Sequence, residues 1–256
     1  MRARTIILIG CVHGIGRAAA FRAVAAGSPI ALLDIDAPGL VALAEELRSA
    51  HPTLPIVALP TDITNQAQVV DAVAKAVEAL GEVEVLIVNA GGVTSLVQAG
   101  ELSQTFADFS ASQPADWRRI VELNLFGVFN AAHAVLPLFK RAGKGRIVLV
   151  ASVAGLVGSP GLATYAAAKG GVIAFGKSLA REVAREGITV NTVAPGGVAT
   201  RVFPPGTPAA QKRAERIPMG RLAEPDEIAN AIMYFALGAP DYLSGEVLSV
   251  SGGPPA

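Results

Sequence analysis

The chain has 256 residues, 52% of them apolar and only 5% aromatic, and its 21 basic and 21 acidic side chains cancel. That balance excludes a polybasic nucleic-acid surface, and a single cysteine, Cys11, excludes an intrachain disulfide and favours a reducing compartment. One Cys and three His (His13, His51 and His133), far apart in sequence, exclude a cysteine-rich zinc site, so no metal is expected.

No apolar window approaches the roughly 20 residues a membrane helix needs. The run Ile6 to Ile9 is too short for a signal segment. The expectation is a soluble cytoplasmic protein without membrane or nucleic-acid partners. The size suits one α/β domain, residues 1–256, with small branched residues in the sheet and Ala-rich helices around it.

Thr5 to Ile9 reads as a first strand, then Gly10-Cys-Val-His-Gly14-Ile-Gly16 opens a helix through Ala26. Gly10 permits the tight turn, Gly14 lets backbone approach a phosphate, and Gly16 lets the helix pack closely. The helix N-terminus then presents free N–H groups and a positive dipole end to a pyrophosphate. Strand two, Ile30 to Leu33, ends at Asp34, where an acid accepts a hydrogen bond from a ribose 2′-hydroxyl. A 2′-phosphate would meet like charge there, at a penalty of about 4 kcal/mol at roughly 4 Å and an effective dielectric near 20. NAD is therefore preferred over NADP, with His13 and Arg17 as counterweights; the plainer alternative for Asp34 is a strand-end turn acid.

Pro38 to Ala50 carries helical spacing and Ile56 to Leu59 a third strand. Asp62 before Thr64 suits a cap for the next helix, Gln66 to Leu80, which Gly81 closes. Val85 to Val88 is strand four. Residues 93–115 form a longer connection than the fold needs, read as an excursion near the site mouth or a subunit contact. Pro114 starts a helix to about Arg141, in which Trp117 reads as a packing anchor and Asn124, amid Val121, Leu123, Leu125 and Phe126, wants a partner if buried.

Ile147 to Ala151 is a buried strand ending at Ser152. A long Ala-rich helix from Tyr165 to Glu186 follows, with Tyr165 and Lys169 on one face. A serine at a strand tip facing a tyrosine and a lysine is a proton-transfer constellation. A Lys ammonium at roughly 4 Å favours the phenolate by about 4 kcal/mol, drawing Tyr165 from a pKa of about 10 toward the range of a useful general acid/base. Ser152 would hold the reacting oxygen. Ile188 to Val193 is strand six, residues 197–220 read as a Pro-rich lid with a short helix near Pro208 to Arg216, Pro225 to Leu237 as a helix, and Val247 to Val250 as the last strand. The β-α alternation implies one parallel sheet with helices on both faces.

Taken together, the Gly-x3-Gly-x-Gly loop at Gly10, Gly14 and Gly16, Asn89-Ala-Gly91, Asn124, Ser152 and Tyr165-x-x-x-Lys169 resemble the single-domain short-chain dehydrogenase/reductase family, over essentially the whole chain. Ile9 departs from the Thr the family usually has before the first glycine, which bears on the bracing of that loop. The resemblance implies a Rossmann-type doubly wound sheet of seven parallel strands in the order 3-2-1-4-5-6-7. It implies dinucleotide contacts at Gly10, His13, Gly14, Ile15, Gly16, Asp34, Ile35, Asp62, Ile63, Asn89, Ala90, Gly91, Tyr165, Lys169, Pro195, Gly196, Val198 and Thr200. Asp62 and Ile63 would flank the adenine, Thr200 the carboxamide, and Lys169 the nicotinamide ribose. Asn124 would hold a water in the proton relay.

The activity so implied is interconversion of a secondary alcohol and a ketone, with Asn124, Ser152, Tyr165 and Lys169 catalytic. Val93, Leu96, Val153, Leu156, Val157, Val202 and Phe203 are the expected pocket, suited to an apolar or alicyclic substrate. The alternatives are a 3-oxoacyl-thioester reductase or a hydroxyacyl-CoA dehydrogenase, with Arg201 toward a carboxylate or phosphate, and, in a different class, a catalytically idle dinucleotide sensor. The small-residue face formed by Ala168, Gly170, Gly171 and Ala174 implies a homotetramer, or failing that a dimer.

Overall fold

The computed structural model describes residues 2–92 and 108–253. Its centre is a seven-stranded parallel sheet in the order β3-β2-β1-β4-β5-β6-β7. The strands are β1 Ile6–Ile9, β2 Ile30–Asp34, β3 Ile56–Pro60, β4 Val85–Val88, β5 Gly145–Val150, β6 Ile188–Pro195 and β7 Val247–Val250. In register Ile9 lies beside Leu33 on one side and Val88 on the other, so three strand tips and the loops they feed end at one level.

Side chains alternate between two cores, as a sheet covered on both faces requires. Ile6, Leu8, Ile30, Leu32, Val85, Ile87 and Val148 point to one core, under α1 (Gly14–Ala25), α2 (Ala37–Ala50) and α9 (Pro225–Met233). Ile7, Ile9, Leu33, Leu86, Val88, Ile147 and Leu149 point to the other. That second core is covered by α3 (Gln66–Leu80), by the long helix α4–α5 and by α7 (Ala163–Val183). Each such residue is fully buried and contributes about 1.5–3 kcal/mol against exposure. The central strands β1 and β4 are therefore apolar throughout rather than alternating in the sequence.

The expected helix from Pro114 is one continuous rod to Ala142, but not uniformly α. It runs as α4 (Pro114–Val121), a π-turn (Glu122–Phe126) and α5 (Gly127–Ala142). This rod is the one described helix long and apolar enough to cross a membrane, by length and composition only. That corrects the reading that no window approaches such a length. Its apolar face is spent in the second core, where Val128, Ala131, Ala132, Val135 and Phe139 are buried.

The described residues also include the short helices α6 (Ala154–Val157) and α8 (Pro208–Ala214), and α9 continues as a π-turn (Tyr234–Gly238). The segment expected as a lid, 197–220, is stapled at its base. Val198 bridges Ala223, Ala199 N–H donates to Ala223 O, and Ala223 N–H donates to Gly197 O. Ala210 and Ile217 are buried, so this segment is packed at its centre as well as joined at its root.

Candidate active site

The glycine loop follows β1 directly, and its geometry admits little but glycine. A Cβ at Gly16 would lie 1.9 Å from Gly10 O and 2.7 Å from Asn89 Nδ2, and one at Gly14 would lie 3.1 Å from Thr200 Cγ2. Gly10 (φ 81°) and Gly14 (φ 53°) are left-handed. The bracing that Thr would supply before Gly10 is supplied instead by Asn89, whose Nδ2 donates to Gly10 O at 2.6 Å. Ile9 lends its carbonyl to the N–H groups of Asn89 and Ala90. His13 caps α1 without a side-chain hydrogen bond, and the first turn carries no acid. The amide groups there fit a pyrophosphate, and the loop fits a dinucleotide.

Asp34 stands at the tip of β2. Its carboxylate accepts from Val12 N–H at 3.0 Å and from Asp36 N–H at 3.1 Å, which fixes it against the glycine loop. Both basic counterweights are engaged elsewhere: His13 Nε2 lies 3.4 Å from Asp36 Oδ2, and Arg17 pairs with Glu46 at 2.6 Å. Ile35 is exposed. Asp62 accepts from Thr64 N–H and Oγ1–H, while Asn65, not Asp62, caps α3. Ile63 lies in the second core, against Gly127. Pro195, Gly196, Val198 and Thr200 follow β6; Gly196 N–H donates to Val250 O, and Thr200 Oγ1 accepts from Val202 N–H. Cys11 is buried beneath this loop, donating to Leu33 O at 3.6 Å; burial, with Asp34 adding to it, pushes its thiol up and leaves it inert.

Across the strand tips, Asn124, Ser152, Tyr165 and Lys169 converge. Asn124 is fully buried in the π-turn. Its Oδ1 accepts from Gly92 N–H at 2.8 Å, and its Nδ2 donates to Gly92 O and Ile120 O, each at 3.0 Å. A Cβ placed on Gly91 would lie 2.7 Å from Asn124 Oδ1 and 3.0 Å from Lys169 Nζ, so a larger residue here would press on both groups. Ser152 Oγ accepts from Ala154 N–H at 3.2 Å, and its hydroxyl is the side-chain group that draws the Tyr165 pKa down.

The electrostatics depart from expectation. Burial raises the Tyr165 pKa, and the Ser152 hydroxyl draws it part of the way back; Lys169 is not among the causes. The Lys169 ammonium lies 5.9 Å from the centroid of the Tyr165 ring and donates to Val150 O at 3.0 Å. Burial lowers its own pKa to about 8. The phenol is therefore held protonated as a donor, and the lysine is the group whose charge is soft near neutral pH.

Of the expected pocket, Val93 and Leu96 lie outside the described residues. Val153 is buried, its N–H donating to Pro195 O, while Leu156, Val157 and Val202 are 41–50% exposed. The walls nearest Tyr165 are different residues: Phe109, Trp117, Ile120 and Leu162, around a cavity of about 60 Å³. Trp117 is the packing anchor expected, stacked on Phe109 with centroids 5.0 Å apart. The distant placement of residues 108–112 in sequence hides this wall; the apolar residues of 161–165 are its one local signal.

A phosphate cradle on β1, an acid on β2, and a serine, tyrosine and lysine over the tips of the central strands define a nicotinamide-dinucleotide oxidoreductase acting on CH–OH donors. The short chain dehydrogenase family model matches residues 4–209, and the chain belongs to that family. It is 35% identical over 250 residues to 3-oxoacyl-[acyl-carrier-protein] reductase FabG of Escherichia coli, covering 96% of this chain and 95% of that one. Among solved structures it is similar to levodione reductase (28% identity, TM-score 0.89, covering 99% and 98% of the two chains). A 3-oxoacyl-[acyl-carrier protein] reductase with bound NAD from Brucella melitensis gives 30% identity and a TM-score of 0.86, covering 98% of this chain and 91% of that one.

Proposed function

We propose that this protein is an NAD-linked secondary-alcohol dehydrogenase or ketone reductase with Tyr165 as its general acid/base. The observation that carries the reading is the convergence of Ser152, Tyr165 and Lys169 beside Asn124 and Gly91, next to a cradle that fits a dinucleotide. When bound, the nicotinamide supplies or accepts the hydride at the substrate's carbinol carbon.

The chain's own residues manage the oxygen. In reduction Tyr165 gives its hydroxyl proton to the carbonyl oxygen as the carbon becomes tetrahedral, and in oxidation it takes that proton back. Ser152 holds the same oxygen against the phenol. Lys169, poised between charged and neutral near pH 8, reaches toward the nicotinamide ribose. Asn124, anchored to both polar groups of Gly92, orders the path by which the proton is replaced from solvent.

NAD is the preferred cofactor because Asp34 is fixed by two backbone amides where a 2′-phosphate would stand, and His13 and Arg17 are already paired with acids. A 3-oxoacyl-thioester reductase is the second reading, supported by the likeness to FabG, and a hydroxyacyl-CoA dehydrogenase is its oxidative counterpart; the exposed Arg201 is available to a phosphate of either. We place the protein in the cytoplasm as a homotetramer or dimer. Sedimentation at micromolar concentration checks the assembly, and a monomer alone would remove it.

The deciding experiment mixes the protein with NAD or NADP and a panel of secondary alcohols, ketones and 3-oxoacyl thioesters, following nicotinamide absorbance. Turnover with NAD, lost in Tyr165→Phe while NAD still binds, is the expected result. Tight NAD binding without turnover of any substrate would favour a dinucleotide sensor instead.

A further inference from the structure

The cavity beside Tyr165 is built by elements far apart in the chain: Phe109, Trp117 and Ile120 on one side, and Leu162, Ala163 and Tyr165 on the other. Its polar side chains are largely accounted for. Trp117 Nε1 donates to Ser112 Oγ at 2.7 Å, Ser112 Oγ donates to Phe109 O at 2.6 Å, and Asp116 is engaged by a neighbour. What faces the space is mainly hydrocarbon. At about 60 Å³ it exceeds several-fold the room one water needs, and a half-open cleft lined mainly by hydrocarbon prefers an apolar guest.

Two further observations tie it to catalysis. Buried Ile120 packs with Leu123, Leu162 and Tyr165 into one small apolar cluster, so the wall that bounds the cavity also seats the catalytic ring. Tyr165 follows Leu162, Ala163 and Thr164 in the first turn of α7, and all four line the cavity. Leu156, Val157 and Val202 are about as exposed as Phe109 on the rim of this cavity, and what distinguishes the cavity is the buried Ile120 at its base.

We propose that this cavity is the subsite for the apolar substituent of the substrate, with Leu162 and Ala163 setting its size. The proposal rests on the oxidoreductase reading and deepens it. The substrate is a ketone or secondary alcohol bearing a compact branched or cyclic hydrocarbon group close to the reacting carbon. That group belongs either to a simple ring ketone or to the acyl chain of a thioester. Each methylene it buries raises kcat/KM about four-fold until the space is full.

The test fills the cavity from its edge. Ala163 is exposed at the first position of α7, so Ala163→Leu adds bulk without opening the core. kcat/KM is measured for matched pairs, acetone against cyclohexyl methyl ketone and acetoacetyl thioester against a branched homologue. The ratio of large to small substrate is expected to fall about ten-fold in one pair or both, and the pair that responds identifies the source of the group. Phe109→Ala, on a side chain 55% exposed, is expected to move the ratio the opposite way and serves if the first variant does not fold. An unchanged ratio in a folded variant, judged by melting temperature and NADH fluorescence, would overturn the subsite alone. Wild-type protein that turns over no substrate of any kind would overturn the oxidoreductase reading and the subsite with it.

Discussion

Lys169 hydrogen-bonds the carbonyl oxygen of Val150 at 3.0 Å, tying the first turns of α7 to the last residue of β5. That bond holds a fully enclosed ammonium whose pKa burial has lowered from 10.5 to about 8. The consequence for stability has a definite sign. Below about pH 8 the folded state carries a buried charge that the unfolded state exposes to water. Between about 8 and 10.5 the folded state releases the proton first, the unfolded state binds more protons, and stability rises with pH. Tyr165, whose pKa burial raises, acts oppositely: above about pH 10 the unfolded phenol ionises while the folded one does not, and stability falls. Lys169→Met should abolish turnover yet be less pH-dependent in stability. Relative to this variant the wild type should gain about 1–3 kcal/mol between pH 7 and pH 9.5, read from urea midpoints. A difference flat across that range would mean the lysine is not desolvated.

Gly155 makes the closest contact between the serine turn and α7. A Cβ there would lie 2.6 Å from Gly170 N and from Lys169 C, while one on Gly170 would meet Gly155 O at a tolerable 3.3 Å. Gly155 N–H donates to Ser152 O at 3.0 Å, so displacing Gly155 carries Ser152 with it. Gly155→Ala should therefore cost about 1–3 kcal/mol and lower kcat about ten-fold or more without changing the Kd for NAD. Gly170→Ala, facing the same contact from the other side, should be nearly silent. Equal effects from the two variants would show that simple helix crowding, and not the position of Ser152, is at stake.

These two contacts also mark where sequence reading stops. The central strands were legible because a sheet buried on both faces needs unbroken apolar runs, and strand boundaries such as Ile6–Ile9 and Val85–Val88 follow from them. The glycine loop was legible because close backbone approach leaves no alternative residue. The Tyr165–Lys169 spacing was legible too, but not its electrostatics. A four-residue offset sets a shared helix face and leaves open how deeply each group is buried or that Val150 O captures the ammonium. The π-turn at Asn124 and the cavity wall at Phe109 depend on partners more than 30 residues away, which no local pattern encodes.

Asn124 tests the π-turn. Its amide satisfies the N–H and C=O of Gly92 and donates to the carbonyl of Ile120 one turn back. Replacing it by Ala leaves those buried backbone groups without partners, at about 1–3 kcal/mol for each that water cannot reach. A total loss of about 3 kcal/mol or more in equilibrium denaturation is expected, together with a slower turnover whose pH optimum shifts. Asn124→Asp should not rescue it, because a carboxylate offers no donor to either carbonyl. Full stability in the Ala variant would show that the helix can close into a regular α form without the amide.

Cofactor choice turns on Asp34. Its two amide contacts make Ala a poor probe of charge, since losing the side chain also releases Val12 and Asp36. Asp34→Asn keeps an acceptor and removes the charge, so it isolates the repulsion of a 2′-phosphate. The full Coulomb penalty of about 4 kcal/mol would correspond to several hundred-fold, but the change will be smaller. The two basic neighbours of the loop are both engaged: His13 faces Asp36 at 3.4 Å and Arg17 is held by Glu46. A rise of about ten-fold in the ratio of kcat/KM for NADPH over NADH is expected, with Glu46→Gln added to free Arg17 raising it further. An unchanged ratio in Asp34→Asn would place the determinant elsewhere on the loop.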